Sequence, residues 1–281
     1  MTVADEGNDR EEPRRRFAEE ARAERPDLAL LCLLVAAVAD PELDARGIDE
    51  AQIELDRLAG QLPYGLRGAH AWASALAELL GERYGFEGAA ADYRRLESSL
   101  LHEVLRRRRG LPILLSVVWI EVARRAGAPV YGVALPGHFV VGFGDPAERV
   151  LADPFAGGRP LTDQDAELLV TSSTGERWEP SSLEPARPLE VVLRVLNNIR
   201  AWAAARPEHT DVALWAVELS LLLPSHPAAL RYEHAQLLVR AGQFLRGAAA
   251  MEEYARVVEG VDPATAEAVR HSARAARSLL N

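Results

Sequence analysis

The segment that most constrains the fold of this chain is an apolar helix bounded by glycine and proline. RGLP at 109–112 leads into ILLSVVWIEVA, and Gly127 and Pro129 follow it. Proline suits the first turn of a helix, where its missing N–H would have no partner, and glycine commonly ends one. Because this segment is apolar on nearly every side, other elements must enclose it. The sequence therefore predicts a central buried helix that begins at Pro112.

The pattern changes to an alternation of period two after this helix. Four short segments then predict antiparallel strands, at 130–134, 138–143, 149–153 and 159–161. Apolar stripes before the central helix predict four more helices, at 28–39, 47–63, 70–83 and 97–108. The predicted fold class is α+β, a helix-rich core with a small antiparallel sheet.

From residue 189 onward the pattern is helical throughout. Five helices are predicted, at 189–205, 210–223, 226–241, 244–258 and 263–279. The stretch 229–258 has the helix–turn–helix rhythm of about 34 residues that is typical of tetratricopeptide repeats. We therefore predict three segments: a charged, disordered tail at 1–24, a core domain at 25–188 that ends in a polar junction from 162, and an all-α repeat segment at 189–281.

Charge and cysteine content narrow the classes of function. The net charge of −10 argues against nucleic acid or an anionic membrane as a partner. The apolar run at 28–39 is shorter than the roughly 20 residues that a membrane span needs. The single cysteine, Cys32, excludes an internal disulfide and a cysteine-cluster metal site. We expect a cytoplasmic protein with no cofactor and no metal, which binds neither nucleic acid nor membrane.

Strand pairing brings two candidate site residues together. If the strands at 138–143 and 149–153 pair symmetrically about a turn centred on Asp145 and Pro146, His138 lies directly opposite Asp153. Directly opposed residues have Cβ atoms about 4.5–5.5 Å apart. The carboxylate would then orient the imidazole, as the acid of a hydrolase triad does. The alternative interpretation is a pair that merely satisfies two polar groups at the end of a sheet.

The same region resembles a known family. GFEGAAADYRRLESSLLHEVLRRRRGLPILLSVVWIEVARRAGAPVYGVALPGHFVVGF, followed by DPFAGG, is similar to the transglutaminase-like core of bacterial SirB-type proteins. Those proteins join a papain-like core to tetratricopeptide-like helices, and the resemblance extends over roughly residues 28–270. It implies a catalytic base at His138 and an orienting acid at Asp153. It also implies that Pro112 occupies the position of the nucleophilic cysteine, which SirB-type proteins tend to lack.

Other residues near this helix are weaker candidates. Ser116 lies one turn after Pro112 and is a possible serine nucleophile, although we favour a hydroxyl bonded back to the carbonyl of Pro112. Cys32 lies in an apolar helix and is expected to be buried. His102 and the arginine run at 106–109 are candidates for the mouth of a cleft, where one or two arginines would bind an acidic group.

Three hypotheses of function follow. The first is a non-catalytic transglutaminase-like domain, an interaction or regulatory module that binds a protein or peptide partner through its C-terminal repeats. The second is a hydrolase or acyltransferase that uses His138 and Asp153 with Ser116 or an activated water. The third is a sensor of a small acidic ligand. The missing thiol and the repeat pattern favour the first.

Overall fold

The chain folds into two compact units. The computed structural model describes residues 11–175 and 183–279. The first unit comprises Met1–Val195 and the second Leu196–Asn281. The division falls inside a helix at Pro188–Ala204, seven residues after the junction that the sequence predicts at 188.

The first unit begins with a series of helices. In chain order they are α1 (Glu11–Glu20), α2 (Leu28–Ala39), α3 (Ala45–Ala59), α4 (Ala69–Leu76), α5 (Leu101–Arg107) and α6 (Pro112–Arg125). A wide π-type turn at Ala77–Arg83 extends α4, and two 3₁₀ turns at Ala90–Arg94 and Leu96–Ser99 precede α5. The helix predicted at 97–108 is therefore shorter than expected, because its first turn is 3₁₀ rather than α.

The disordered tail predicted at 1–24 is wrong for Glu11–Glu20, which form helix α1. Phe17 is fully buried in it, and α1 packs against α2. Arg15 also pairs with Glu12 and Glu19, one helical turn away on either side. One apolar anchor and these ion pairs order Glu11–Glu20, which the charge-rich composition alone did not indicate. Residues 1–10 of the predicted tail lie outside the described residues.

The central helix is α6. Every residue from Pro112 to Ala123 is buried, including Trp119, which packs edge-on against Phe86. This confirms the helix that the glycine and proline boundaries and the all-round apolar pattern predict. Strands and helices of the first unit contact it from several sides.

The sheet has five antiparallel strands in the order β4-β3-β2-β1-β5. They are β1 (Val130–Val133), β2 (Val140–Phe143), β3 (Val150–Asp153), β4 (Arg159–Leu161) and β5 (Pro185–Ala186). The register of β2 with β3 pairs Val141 with Ala152 and Phe143 with Val150. Continued by one pair, it sets Asp153 opposite Val140.

The predicted opposition of His138 and Asp153 is therefore wrong by two residues. The connection between β2 and β3 is centred later than expected, because Gly144 adopts a positive φ of 84° and Asp145 caps the turn by accepting from the N–H of Ala147. An even shift leaves every side chain on its original face of the sheet.

The predicted polar junction is also corrected. A helix, α7 (Asp163–Thr174), follows β4, and β5 then pairs with β1. Thr162 and Asp165 form a reciprocal capping box at the start of α7. Ala166 and Val170, one turn apart, are buried in the cluster that includes the sheet residues Val133 and Leu151. Two apolar positions and a cap thus suffice for a helix whose composition is mostly polar.

The second unit is helical in its described residues. The last helices of the chain are α8 (Pro188–Ala204), α9 (Thr210–Leu222), α10 (Ala229–Arg240), α11 (Phe244–Val258) and α12 (Pro263–Ser278), of which α8 contributes its residues from 196 onward to this unit. Helices α10, α11 and α12 pack in succession around small residues such as Ala235, Ala248 and Ala273. Their bounds agree with the predicted helices to within three residues.

Candidate functional site

A histidine and an aspartate meet at one end of the sheet. His138 lies two residues before β2, and Asp153 is the last residue of β3. His138 Nε2 is 3.0 Å from Asp153 Oδ1, and the two residues are 8% and 3% exposed. In the observed register they are diagonal rather than direct neighbours, and such pairs are within reach of long side chains. The two side chains therefore meet, although through a different pairing from the predicted one.

The carboxylate is held by its own turn. Asp153 caps the 3₁₀ turn at Pro154–Ala156, where its Oδ1 also accepts from the N–H of Phe155 at 3.0 Å. The ring of Phe155 then stands edge-on to His138, with centroids 5.9 Å apart at 87°. The backbone thus fixes the carboxylate, and the carboxylate and the phenyl ring together fix the imidazole.

The second ring nitrogen of His138 remains available. Since a carboxylate only accepts hydrogen bonds, we assign the proton to Nε2, so that Nδ1 carries the lone pair. Within residues 11–175 and 183–279, Nδ1 has no hydrogen-bond partner, and it is not one of the fully buried polar atoms. A neutral imidazole in this state accepts a proton or a hydrogen bond at Nδ1.

Arg194 holds the loop that carries His138. The turn before β2 has Gly137 at a positive φ of 71°, and the N–H of His138 donates to the carbonyl of Leu135. Arg194 Nη2 donates to the carbonyls of both Leu135 and His138, the latter at 2.8 Å. Its guanidinium also lies 5.7 Å from the ring centre of Phe139. Burial lowers the pKa of Arg194, but a guanidinium keeps its charge.

Ser116 is enclosed in the centre of the unit. It is 0% exposed, and its hydroxyl donates to the carbonyl of Phe139 at 3.2 Å. The expected bond to the carbonyl of Pro112 is wrong, because α6 presents this position to the residue that enters β2. Ser116 therefore lies near the chain segment of His138, but its hydroxyl proton is donated to the carbonyl of Phe139 and not to the imidazole.

Cys32 is buried within α2. Burial raises the pKa of its thiol well above the usual range, and the carboxylates of Glu121 and Asp27 add to the effect. A thiol in such surroundings stays protonated and is a poor nucleophile. The expectation of a buried cysteine is confirmed.

The start of α6 packs against the aromatic neighbour of His138. The N–H of Leu111, just before Pro112, donates to the carbonyl of Ser98 at 3.0 Å. A Cβ at Gly88 would lie 2.0 Å from the ring of Phe155 and 2.9 Å from the carbonyl oxygen of Gly110. Gly88 therefore allows the helix start to approach Phe155, which in turn contacts His138.

Asp92 holds the 3₁₀ segment that precedes α5, a role that no sequence pattern indicated. This aspartate is 4% exposed and accepts from the N–H of Ala89 at 2.8 Å and from the hydroxyl of Ser98 at 3.4 Å. Arg109 Nη2 lies 3.4 Å and Arg107 Nη2 3.7 Å from its two oxygens. One buried carboxylate thus ties the 3₁₀ turns to two arginines of the run at 106–109.

The rest of the arginine run also has partners within the first unit. Arg106 pairs with Glu103 at 2.7 Å, and Arg108 lies over the ring of Tyr84 at 4.5 Å. His102 bonds to Asp40 at the end of α2, with Nε2 3.1 Å from Oδ2. These contacts give the run and His102 roles in packing, so the geometry does not support them as a site for an acidic ligand.

Family comparisons agree with this architecture. Residues 49–197 match the model of the transglutaminase-like superfamily, which is more than half of the chain. The chain belongs to the transglutaminase-like superfamily. Residues 199–281 of this transglutaminase-like protein match the model of the tetratricopeptide repeat, in agreement with the division into two units.

Several proteins are similar over part or most of this transglutaminase-like chain. The UPF0162 protein of Xylella fastidiosa (strain 9a5c) is 32% identical over 208 residues, which are 71% of this chain and 73% of the relative. F-box only protein 21 of Mus musculus is 32% identical over 161 residues, 54% of this chain and 25% of that protein. The solved structure of menin covers 89% of this chain and 70% of its own at 13% identity, with a TM-score of 0.43.

The described residues contain neither a cluster of metal ligands nor a membrane-spanning helix. Among the residues that the structure describes, no three His, Cys, Asp or Glu side chains are grouped as metal ligands. No helix in the described ranges is long and apolar enough to cross a bilayer.

Proposed function

We propose that this transglutaminase-like protein is a non-catalytic interaction or regulatory module of the SirB type, in which the His138–Asp153 dyad persists without a nucleophile. One observation carries the proposal: within the described residues, neither a thiol nor a free hydroxyl is bonded to Nδ1 of His138. The single thiol is buried in α2, and the hydroxyl of Ser116 donates to Phe139.

Proline at position 112 explains why the site has no nucleophile for acyl transfer. Acyl transfer through a covalent intermediate needs a nucleophile that an adjacent base activates. In the transglutaminase-like pattern that nucleophile is a cysteine at the start of a helix, where the helix terminus lowers the pKa of the thiol. Pro112 is the first residue of α6, and its side chain has no atom that can be deprotonated. A proline here favours the helix start and leaves the base without its partner.

The interaction role rests on the second unit. Tetratricopeptide repeats stack helix pairs into extended concave surfaces that bind partners. The match of residues 199–281 to this repeat therefore supports a protein or peptide partner. The proposal includes a cytoplasmic location, which a single unpaired thiol fits.

The proposal is tested by assaying the full chain with glutamine-containing peptides and with activated esters. We expect no ammonia release, acyl transfer or ester hydrolysis above the level of a His138→Ala control. We also expect no labelling of Ser116 by a fluorophosphonate probe, because its oxygen is buried. Turnover by the wild-type chain that His138→Ala abolishes would contradict the proposal.

A second candidate is a hydrolase in which His138 activates a water. The unpartnered Nδ1 favours it, because a base needs only a lone pair that a water can reach. In that case Asp153→Asn, which removes the orienting charge, would lower the rate while binding of the substrate persists. Equal rates for the wild-type, His138→Gln and Asp153→Asn chains would exclude this mechanism.

A further inference from the structure

Two cavities in the second unit adjoin each other, and together they are called the groove below. Their volumes are about 560 Å³ and 460 Å³, and four residues line both: Arg200, Ala204, Ala229 and Glu233. All residues that line them lie between Asn197 and Arg240. Each volume is within the range of a typical ligand site, roughly 300–1,000 Å³. The shared residues make the two cavities adjoining parts of one groove.

Most of the groove lining comes from α8 and α10, and Thr210 and Ala213 of α9 complete it. Helix α10 contributes Ala229, Glu233, Gln236 and Arg240, which are spaced by three or four residues and so share one side of the helix. Helix α8 contributes Arg200 and its alanine neighbours at 201, 203 and 204. Alanine side chains leave room for a ligand backbone, and Gln236 supplies a polar group that can bond to it.

The groove is positively charged. Three guanidinium groups line the larger cavity, those of Arg200, Arg206 and Arg240, but only one carboxylate, that of Glu233. An excess of cations on a concave surface attracts anionic groups.

The three arginines differ in how they are held. Arg200 forms a two-pronged ion pair with Glu233, with Nε 3.1 Å from Oε1. Arg206 lies over the ring of Trp202 at 4.5 Å. For Arg240, the structure records no ion pair or hydrogen bond to any described residue. The guanidinium of Arg240 is thus available to a ligand, whereas that of Arg200 is paired with Glu233 in the same groove.

We propose that this groove binds an extended acidic peptide segment of a partner protein. One carboxylate of the peptide pairs with Arg240, and a second takes the place of Glu233 on Arg200. Guanidinium groups suit this role because they bind carboxylates through two parallel hydrogen bonds. The inference deepens the proposed interaction function and rests on it, since it assigns a class of partner to the repeat unit.

The test measures the fluorescence anisotropy of a labelled peptide of alternating Gly and Glu residues with the full chain at low salt. We expect saturable binding, with Arg240→Glu weakening it about tenfold or more, because a charge-assisted pair becomes a repulsion. Arg256→Glu is the matched control, since it changes the same charge on an exposed position of α11 outside the groove, and should change affinity little. The corresponding Gly and Gln peptide should bind far more weakly.

Glu233→Gln provides the sharper arm of the test. In the free protein the carboxylate of Glu233 is paired with the guanidinium of Arg200. Removal of this negative charge should therefore tighten the binding of the acidic peptide several-fold. Unchanged or weaker binding by Glu233→Gln would overturn the proposal, as would equal losses in Arg240→Glu and Arg256→Glu. Equally tight binding of oligothymidylate would also overturn it, because a general polyanion site is not a peptide site. These results are independent of the activity assay with His138→Ala, so either proposal can fail alone.

Discussion

The polar residues of the dyad region in the first unit and the arginine of the groove in the second unit are held in opposite ways. In the first unit, His138, Asp153 and Asp92 are each at most 8% exposed, and every one of them bonds to another part of the same unit. In the second unit, Arg240 lines an open groove and has no recorded partner among the described residues. The polar groups that resemble a catalytic set are buried and paired, whereas the guanidinium of Arg240 in the repeat unit faces an open groove.

This difference separates two roles for polar side chains. Buried and fully paired groups hold a particular packing, since leaving one unpaired carries a desolvation penalty. Exposed and unpaired charges contribute little to stability and remain free to bind. Substitutions should therefore affect stability in the first unit and binding in the second.

Removal of the buried carboxylate should have the largest effect. Asp153→Ala leaves both His138 Nε2 and the N–H of Phe155 without an acceptor. With about 1–3 kcal/mol for each unsatisfied group, we expect the free energy of unfolding to fall by about 3 kcal/mol. Urea denaturation of the full chain, followed by circular dichroism, measures the loss.

The control for this prediction is Asp49→Ala. Asp49 is exposed on α3, and substitutions of that kind usually change stability by less than about 0.5 kcal/mol. Equal stability of the two variants would mean that the dyad does not contribute to packing.

A single methyl group added at Gly88, which lies between Phe155 and Gly110, should have a smaller effect. The Cβ of Gly88→Ala would lie 2.0 Å from the ring of Phe155, so the ring or the backbone at Gly110 must shift. Overpacking of this kind costs about 1–3 kcal/mol, and we expect about 2 kcal/mol. The same denaturation experiment measures it.

Gly260→Ala is the matched substitution in the second unit. A Cβ there meets no atom within 4 Å, and the residue does not have a positive φ. It should be neutral or slightly stabilising. A neutral Gly88→Ala would show that the contact between the helix start and Phe155 is loose.

The open arginine should have the smallest effect on stability. Arg240→Ala removes no recorded contact, so the free energy of unfolding should stay within about 0.5 kcal/mol of the wild type. Arg256→Ala, also exposed, is the control. A large destabilisation by Arg240→Ala alone would show that this residue serves packing, and the contrast between the units would fail.

Features that depend on local pattern were predictable from the sequence. Glycine and proline set the bounds of α6, and its all-round apolar residues required a central position. The repeat helices followed from apolar periodicity and from Pro207, Pro224, Pro227, Gly242 and Pro263 at their joints. His138 and Asp153 were placed on one face because alternation along a strand survives an even shift of register.

Features that depend on distant contacts were not predictable. The register of β2 with β3 is set by the conformation of Gly144 and Asp145, which alternation does not specify. Arg194 reaches the carbonyl of a residue 56 positions earlier, and no periodicity connects the two. The pairing of Asp92 with Arg107 and Arg109 likewise required the fold, because each of these charges looks like an ordinary surface residue in the sequence.

If the transglutaminase-like site around His138 lacks only its nucleophile, a thiol introduced at position 112 should be activated, and alkylation of a Pro112→Cys variant measures this. The rate of reaction with iodoacetamide would be followed by mass spectrometry across the region of the usual thiol pKa, about 8.5. Cys32 serves as an internal reference, since it is buried and its pKa is raised.

Although position 112 is buried, we expect the new thiol to ionise below this usual pKa, because the start of α6 and the imidazole of His138 both favour the thiolate. We also expect that adding His138→Ala moves the profile back towards higher pH, because the imidazolium no longer stabilises the thiolate. The same profile with and without His138, or no alkylation at position 112, would show that the site lacks more than its nucleophile.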